Sequence, residues 1–192
     1  IAREALRLAF EQHKNLAREL LGVQRQRTIS DAFEQKGAEE TLVNMLNVEL
    51  LVGSGGVLSH APRRNQAALM LIDAFQPEGI TRLAVDSIFM MPQLGVLAKV
   101  NEIAAMQVFE RDCLIHLGTC ITPIGNADEG EPCLSLQIAM PNGQQVTEEI
   151  PAGELRLYSL AVGEKARVKL ETARGFELYK ERSRQIETEV FG

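Results

Sequence analysis

Long apolar runs are missing from this chain of 192 residues. No stretch approaches the roughly 20 consecutive apolar residues that a membrane-spanning helix needs. The first ten residues, IAREALRLAF, carry charge from the third position onward and therefore lack the apolar centre of a signal peptide. We expect a cytoplasmic protein without a membrane partner.

An excess of positive charge is also missing. The formal net charge is −6 and the isoelectric point is about 5.2, so no strongly basic surface is available for nucleic acid or an anionic membrane. With 45% hydrophobic and 24% charged residues, the composition is that of an ordinary globular protein. We predict no nucleic-acid partner, and the length allows one large domain or two small ones.

Cysteine is scarce. Cys113, Cys120 and Cys133 form no CxxC pair, and their spacing, even with His116 added, is too irregular for a typical zinc site. We interpret them as three reduced thiols in a cytoplasmic protein and predict no metal site from them.

The two commonest nucleotide motifs are absent as well. The Walker A pattern GxxxxGK[ST] does not occur. The segment GSGGVL lacks the third glycine of the Rossmann fingerprint, and no strand-ending acid follows at the required distance. Both of these nucleotide-binding classes are therefore disfavoured.

What the chain does contain is an apolar, strand-like run that leads directly into Gly53, Ser54, Gly55 and Gly56. Glycine tolerates positive φ and allows a ligand to approach the backbone closely. The helix-like pattern that follows would present free N–H groups and a partial positive charge at its start. This arrangement suits an anion or a nucleotide, and it suits a tight strand-to-helix turn equally well.

Two arginines fall near the start of that helix-like pattern. Arg63 and Arg64 are unfavourable there against the helix dipole, so a nearby anion would explain them. They are candidate anion contacts, and solvated arginines are the alternative. Pro62 fits the first turn of this helix.

The first part of the chain alternates helical and strand-like patterns. No capping residue precedes the first helix, so we expect the chain to be an excised or truncated piece of a longer protein. The predicted elements are a helix over residues 1–21, a short helix over 38–47, a strand over 48–52, a helix from Pro62 to Phe75, a strand over 81–85 and a helix over 91–111.

The character changes after Asp112. Repeated β-prone runs, separated by turn signals such as PNG and PAG, occupy residues 113–172: CLIHLG, CITPIG, CLSLQIAM, QQVTEEI, ELRLYSLAV and ARVKLETA. We predict three parts, namely an α/β region over 1–112, a β-rich domain over 113–176, and a charged tail or terminal helix over 177–192.

Extended segments of this sequence resemble one protein family. The segments LLVGSGGVLSHAPRRNQAALMLIDAFQPEGITRLAVDSIFMMPQLGVLA, DCLIHLGTCITPIG and PAGELRLYSLAVGEKARVKLETARGF are similar to the glutamate-mutase-associated family called MutL or GlmL. The resemblance covers roughly residues 40–176 and corresponds to the C-terminal portion of such a protein. It implies the fold class of the acetate and sugar kinase, Hsp70 and actin superfamily: α/β, with half of an actin-like, ribonuclease-H-like ATPase domain followed by a smaller β-rich domain.

The resemblance also implies a function. Such a protein would be an ATP-dependent reactivating or assembly chaperone for an adenosylcobalamin-dependent mutase of the glutamate mutase type. Gly53, Gly55 and Gly56 fall on the adenosine-motif glycines, and Ser54 lies within the same turn. ATP or ADP would be the cofactor, with magnesium in the full-length protein. The N-terminal half of its own protein and the mutase would be the partners.

The chain departs from the family pattern in two places. The phosphate motifs of the superfamily are absent from these residues, so we expect no catalytic residue here and no ATP hydrolysis by this chain unaided. The last residues, ELYKERSRQIETEVFG, lie outside the resemblance. A non-catalytic interaction module and part of a small-molecule kinase of the same superfamily are the alternative functions.

Other candidate residues carry weaker signals. Asp86 follows the second predicted strand, where α/β proteins often bind ligands, and is kept as a weak site candidate. Neighbouring Ser59 and His60 are disfavoured as a nucleophile pair because adjacent residues rarely orient toward each other. The paired acids, Glu39-Glu40, Asp128-Glu129 and Glu148-Glu149, are interpreted as solvated surface carboxylates.

Overall fold

The computed structural model describes residues 1–17, 42–179 and 184–192. The first helix, α1, spans Ala2–Leu16 and confirms the helix predicted at the start of the chain. It packs on a later helix, where the rings of Phe10 and Phe75 lie 4.9 Å apart and Arg3 pairs with Asp73 at 3.0 Å. It ends at Leu16 with Ala17 already non-helical, earlier than the end predicted at residue 21. The start of the helix predicted over 38–47 lies outside the described residues. The rest of that second prediction contains a 3₁₀ turn, Met45–Asn47.

Three strands form the first sheet, in the order β1-β2-β3. They are β1, Leu50–Gly53; β2, Gly79–Asp86; and β3, Leu114–Thr122. β1 and β2 run parallel, and β3 pairs with β2 in the antiparallel direction. The central strand β2 pairs on both edges, and its last four residues, Leu83 to Asp86, are all buried.

Two helices connect β1 to β2. The short α2 spans Gly56–Ser59, and α3 spans Arg64–Phe75. The prediction that Pro62 lies in the first turn of the helix is wrong, because Arg63 is extended and the helix begins after it. α3 buries Ala67, Leu71 and Ala74, and Leu71 shares a core with Leu58 of α2 and Val85 of β2.

The single helix predicted over 91–111 is a helical hairpin instead. It consists of α4, Met91–Ala98, and α5, Glu102–Val108, and a π-helical turn, Phe109–Cys113, leads into β3. The break occurs because the Asn101 side chain accepts a hydrogen bond from the Ala104 amide at 3.0 Å and so starts a new helix. We call α4, α5 and the three residues between them the helical arm.

The second sheet contains four antiparallel strands, in the order β6-β5-β7-β9. They are β5, Pro132–Ala139; β6, Gln145–Pro151; β7, Lys165–Thr172; and β9, Gln185–Phe191. Two short strands, β4, Ile124–Gly125, and β8, Phe176–Glu177, pair with each other. Alternate residues of β7 are buried, as expected for a strand with one face on the core and the other in solvent.

Two expectations for the β-rich part are corrected. Residues 185–191 form an edge strand rather than a charged tail or a terminal helix, because Ile186 and Val190 face the apolar core while Glu187 and Glu189 face solvent. The run ELRLYSLAV, residues 154–162, is no strand but an irregular segment, which we call the strap. Its side chains, rather than a backbone ladder, attach it to the sheet, since Arg156 and Tyr158 both bind Glu148.

The two sheets meet between β3 and the end of β9. The Phe191 amide donates a hydrogen bond to the Thr119 hydroxyl at 3.0 Å. Ile80 of β2 and Ile121 of β3 pack against the core of the second sheet. The proposed division at residues 112 and 113 stays a prediction, and β3, just beyond it, belongs to the first sheet.

Candidate functional site

The glycine turn and Asp86 meet at one edge of the first sheet. Gly53 at the end of β1 pairs with Val85 near the end of β2. Ser54 and Asp86 follow these residues, so parallel strands bring them to the same carboxyl edge. In α/β sheets this edge is the usual place for a ligand. The structure thus brings together two predicted site residues that lie far apart in the sequence.

The three glycines of the turn serve different structural purposes. A Cβ on Gly53 would lie 2.9 Å from Leu58 and 3.1 Å from Leu71, so Gly53 permits close packing of α2 and α3 on β1. Gly55 has φ +95°, a conformation that favours glycine. A Cβ on Gly55 or Gly56 would meet no atom within 4 Å. Gly55 and Gly56 therefore leave the backbone open to an approaching ligand, whereas Gly53 serves the core.

Asp86 links the glycine turn to the helical arm. Its Oδ2 accepts hydrogen bonds from the Ser54 hydroxyl at 3.3 Å and from the Met91 amide at 2.9 Å. Its carbonyl accepts a hydrogen bond from the buried Ser59 hydroxyl. Asp86 is completely buried, and its Oδ1 has no hydrogen-bond partner among the described residues.

The Asp86 carboxyl is ionised in this environment. Burial alone raises its pKa, but the hydrogen bond from the Met91 amide, the nearby amides of Met90 and Ile88, and the Ser54 hydroxyl together outweigh burial and hold the pKa below its usual value. The start of α4 also favours a negative charge. A fixed negative charge beside Ser54 repels phosphate and attracts hydrogen-bond donors.

The arginines lie beyond the glycine turn. Arg63 and Arg64 are both exposed. The Arg64 guanidinium donates a hydrogen bond to the Ser59 carbonyl at 3.2 Å, at the end of α2. This contact gives Arg64 a partner within the protein, and the proposed anion contacts of both arginines stay a prediction.

A groove of about 550 Å³ adjoins the turn. Gly56 and His60 line it on one side, and Arg3 of α1 and Met70 of α3 line the other. α1 thus borders the groove through Arg3. The groove and the open face of Gly56 are continuous.

Candidate nucleophiles near the site are occupied or shielded. The Ser59 hydroxyl donates to the Asp86 carbonyl rather than to His60, and His60 is exposed. Burial raises the pKa of the Cys113 thiol, and the charges of Asp86 and Asp112 raise it further. These residues do not form a nucleophilic site.

Of the paired acids, Glu148 differs from its prediction. It is half-buried rather than simply solvated, and hydrogen bonds from Tyr158 and then Arg156 hold its pKa below the usual value. Asp128 and Glu129 are exposed as predicted, and Glu39 and Glu40 lie outside the described residues.

Across residues 1–17, 42–179 and 184–192, no group of three or more metal-ligating side chains occurs. No helix in the described part of the chain combines the length and the apolar character that a bilayer crossing requires.

Sequence reasoning missed two contributors to the site. Ser59 and the amide of Met91 both bind Asp86, and neither follows a motif. The signal for Ser59 was its position one turn after the glycines, in a short helix that the sequence pattern did not separate from α3. Met91 contributes through its backbone, which residue type does not reveal.

Comparison with known proteins places the chain in one family. No curated protein and no solved structure matches the chain. A family model described as MutL protein matches residues 1–113, which is more than half of the 192 residues and includes the glycine turn, Asp86 and the helical arm. The chain therefore belongs to the MutL protein family, the glutamate-mutase-associated family that its sequence resembles.

Proposed function

We propose that this chain supplies the adenosine side of a nucleotide site in an ATP-dependent reactivating or assembly chaperone for an adenosylcobalamin-dependent mutase. The observation that carries the proposal is the Gly53–Gly56 turn at the carboxyl edge of two parallel strands. At this turn Gly55 has positive φ, and the backbone of Gly55 and Gly56 faces open space. Membership of the glutamate-mutase-associated family supports the link to a mutase.

The charge distribution favours adenosine over phosphate at this turn. The buried, ionised Asp86 binds the Ser54 hydroxyl at 3.3 Å, so a phosphate beside Ser54 would face a negative charge. A ribose or an adenine has no charge and offers hydrogen-bond donors. The groove between Gly56, α1 and α3 would hold that neutral part of the nucleotide. In this proposal the arginines Arg63 and Arg64 stand where the charged part of the ligand could reach them.

One proposed partner fits the unpaired edge of the first sheet. β1 pairs with β2 on one side, and no other described strand pairs with its opposite edge. We propose that the N-terminal half of the same protein extends the sheet there and supplies the phosphate and magnesium contacts of the full-length ATPase. The mutase would contact other surfaces of the chain.

A non-catalytic interaction module is the second candidate, and one observation favours it. The helical arm buries Leu94 and Ala105 but exposes large apolar side chains, among them Val96 at 66%, Val100 at 86% and Ile103 at 72%. An isolated helix pair with so small a core is not stable by itself, and such a patch is typical of a protein-binding surface.

A calorimetric titration with ADP and ATP separates these two functions. We expect saturable binding by the unmodified chain. Gly55→Asp and Gly56→Asp place a carboxylate in the open space before the turn and should weaken binding roughly ten-fold or more. No heat of binding at millimolar nucleotide would favour the interaction module.

The control for these variants is Gly143→Asp. Gly143 has φ +84° and, like Gly55, open space where a side chain would begin, but it lies in the turn between β5 and β6. The substitution therefore introduces the same backbone strain and the same charge far from the site. Equal weakening by Gly143→Asp, or unchanged binding by Gly55→Asp and Gly56→Asp, would contradict the assignment of the loop.

A further inference from the structure

A second cleft, of about 460 Å³, lies between the two sheets and away from the glycine turn. Ala68 and Ile72 of α3 and Leu83 of β2 line one wall, and Leu136 and Val168 of the second sheet line the other. The strap forms part of its border. Small-molecule sites in proteins typically have volumes of roughly 300–1,000 Å³ and mainly apolar walls, so the cleft has the size and the lining of a ligand site.

The charged side chain in the cleft lining is already paired. Of the described side chains that line it, only Arg156 carries a full charge, and that guanidinium binds Glu148 at 2.9 Å and also pairs with Glu154. The Tyr158 hydroxyl donates to Glu148 as well. Burial, then this hydrogen bond, raises the pKa of Tyr158 to about 12, so the phenol is neutral. A charged ligand would therefore lose its hydration without gaining a partner.

The strap forms an irregular border of the cleft. It runs between Gly153, with φ +87°, and Gly163, with φ +80°, and it lacks regular structure. Side-chain contacts to Glu148 attach it to the sheet. Leu157 of the strap borders the cleft and is nevertheless 85% exposed, so an apolar occupant would also cover this side chain.

We propose that this cleft binds a small, uncharged and largely apolar molecule. Apolar walls from both sheets supply the binding surface, and neutral polar side chains such as Asn65 and Ser159 also line the cleft. The proposal is independent of the nucleotide site, because the glycine turn and Asp86 take no part in the lining.

The neutral fluorescent probe N-phenyl-1-naphthylamine tests this proposal, since its emission increases in an apolar environment. We expect saturable binding with one probe per chain. Ala68→Phe fills the cleft from α3 and should weaken binding at least roughly ten-fold. The matched control is Leu69→Phe, because Leu69 is the next residue of α3, is 45% exposed and lies outside this cleft. Leu69 borders the groove beside the glycine turn instead, so unchanged binding by this variant also shows that the probe does not occupy that groove.

Cysteine labelling of the unmodified chain gives a second measurement that does not depend on the folding of a variant. Cys120 lines the cleft and is partly exposed, whereas Cys113 and Cys133 are buried. Saturating probe should slow the reaction of Cys120 with N-ethylmaleimide, read by mass spectrometry, with Cys120→Ser as the control for the site of labelling. Three outcomes would overturn the proposal: no saturable fluorescence, unchanged binding by Ala68→Phe, or no protection of Cys120. If the probe bound the exposed apolar side chains of the helical arm instead, Ala68→Phe would leave binding unchanged and Cys120 would not be protected.

Discussion

At the scale of single residues, Asp86 carries the largest number of connections in the site. Its carboxylate and carbonyl hold Ser54, Ser59 and the start of α4 at one point. Because the carboxylate is buried and ionised, its hydrogen bonds must replace the water that it loses on folding. Asp86 is thus a structural support of the glycine turn as well as a candidate ligand contact.

This position predicts a pH-dependent contribution to stability. The pKa of Asp86 is lower in the folded protein than its ordinary value of 3.8, so its stabilising effect is complete above about pH 4 and is lost as the pH falls through the folded pKa. Asp86→Asn should lower the free energy of unfolding by about 1.5–3 kcal/mol at neutral pH, the range for hydrogen bonds to a charged group. The difference from the unmodified chain should shrink in acid.

Urea unfolding at a series of pH values measures this difference. Asp128→Asn is the control, since Asp128 is an exposed aspartate in a loop and its substitution removes the same charge. A difference between Asp86→Asn and the unmodified chain that stays constant down to pH 3 would show that the Asp86 charge does not contribute.

At the scale of elements, the helical arm depends on one capping residue. α4 and α5 are separated by three residues, and the Asn101 side chain accepts the hydrogen bond of the Ala104 amide. An asparagine in this position satisfies an amide that has no partner within the helix. Since α5 is seven residues long, it has little stability of its own and the cap matters more than in a long helix.

Asn101→Ala should therefore destabilise α5 by about 1 kcal/mol. Amide hydrogen exchange of residues 102–108 should become faster, while exchange in the central strand β2 stays unchanged. Asn101→Ser restores a side-chain oxygen and should keep most of the protection. Equal exchange in the alanine variant and the unmodified chain would show that the arm is held by other contacts.

Elements with a clear local pattern were predictable from the sequence. The strand before Gly53, the strand ending at Asp86 and the helix α1 follow from their apolar spacing, and the structure confirms each of them. The helix break at Asn101 was not predictable from spacing, because apolar residues continue at helical intervals through the break. The cap that causes the break is a single side chain.

Non-local pairing explains the other errors. β9 contains the alternation Ile186, Thr188 and Val190, but glutamates between these residues made the segment look like a charged tail. The strap has a β-prone sequence, yet it attaches to the sheet through side chains, because Arg156 and Tyr158 bind Glu148. It forms no strand of its own. Neither a strand's neighbour in a sheet nor a side chain's distant partner is visible in a local pattern.

Only those parts of the candidate site that have a local sequence signal were predictable. The glycine turn has a local signal, and Asp86 was identified by its position after a strand. Their contact through Ser54, at 3.3 Å, depends on the parallel pairing of β1 and β2. The separate role of Gly53 in packing against Leu58 and Leu71 is visible only in the folded protein, because glycines in one motif look alike in sequence.

At the scale of the whole molecule, two sheets share one interface. β3 belongs to the first sheet, and its Thr119 hydroxyl both accepts a hydrogen bond from the Phe191 amide at 3.0 Å and donates one to the Phe191 carbonyl at 3.5 Å. Ile80 and Ile121 extend the contact into the core of the second sheet. Since these apolar contacts accompany the hydrogen bonds, we expect the sheets to unfold together.

Thr119→Val tests this expectation because valine has nearly the shape of threonine and lacks the hydroxyl. The Phe191 amide loses its partner, so the free energy of unfolding should fall by about 1 kcal/mol. Under conditions where exchange reports global unfolding, amides in both β2 and β5 should exchange faster by the same factor, and Thr119→Ser should retain most of the stability. Faster exchange confined to β9 and its neighbour β7 would show instead that the two sheets are separate cooperative units, with the hydroxyl serving only to fix the last strand.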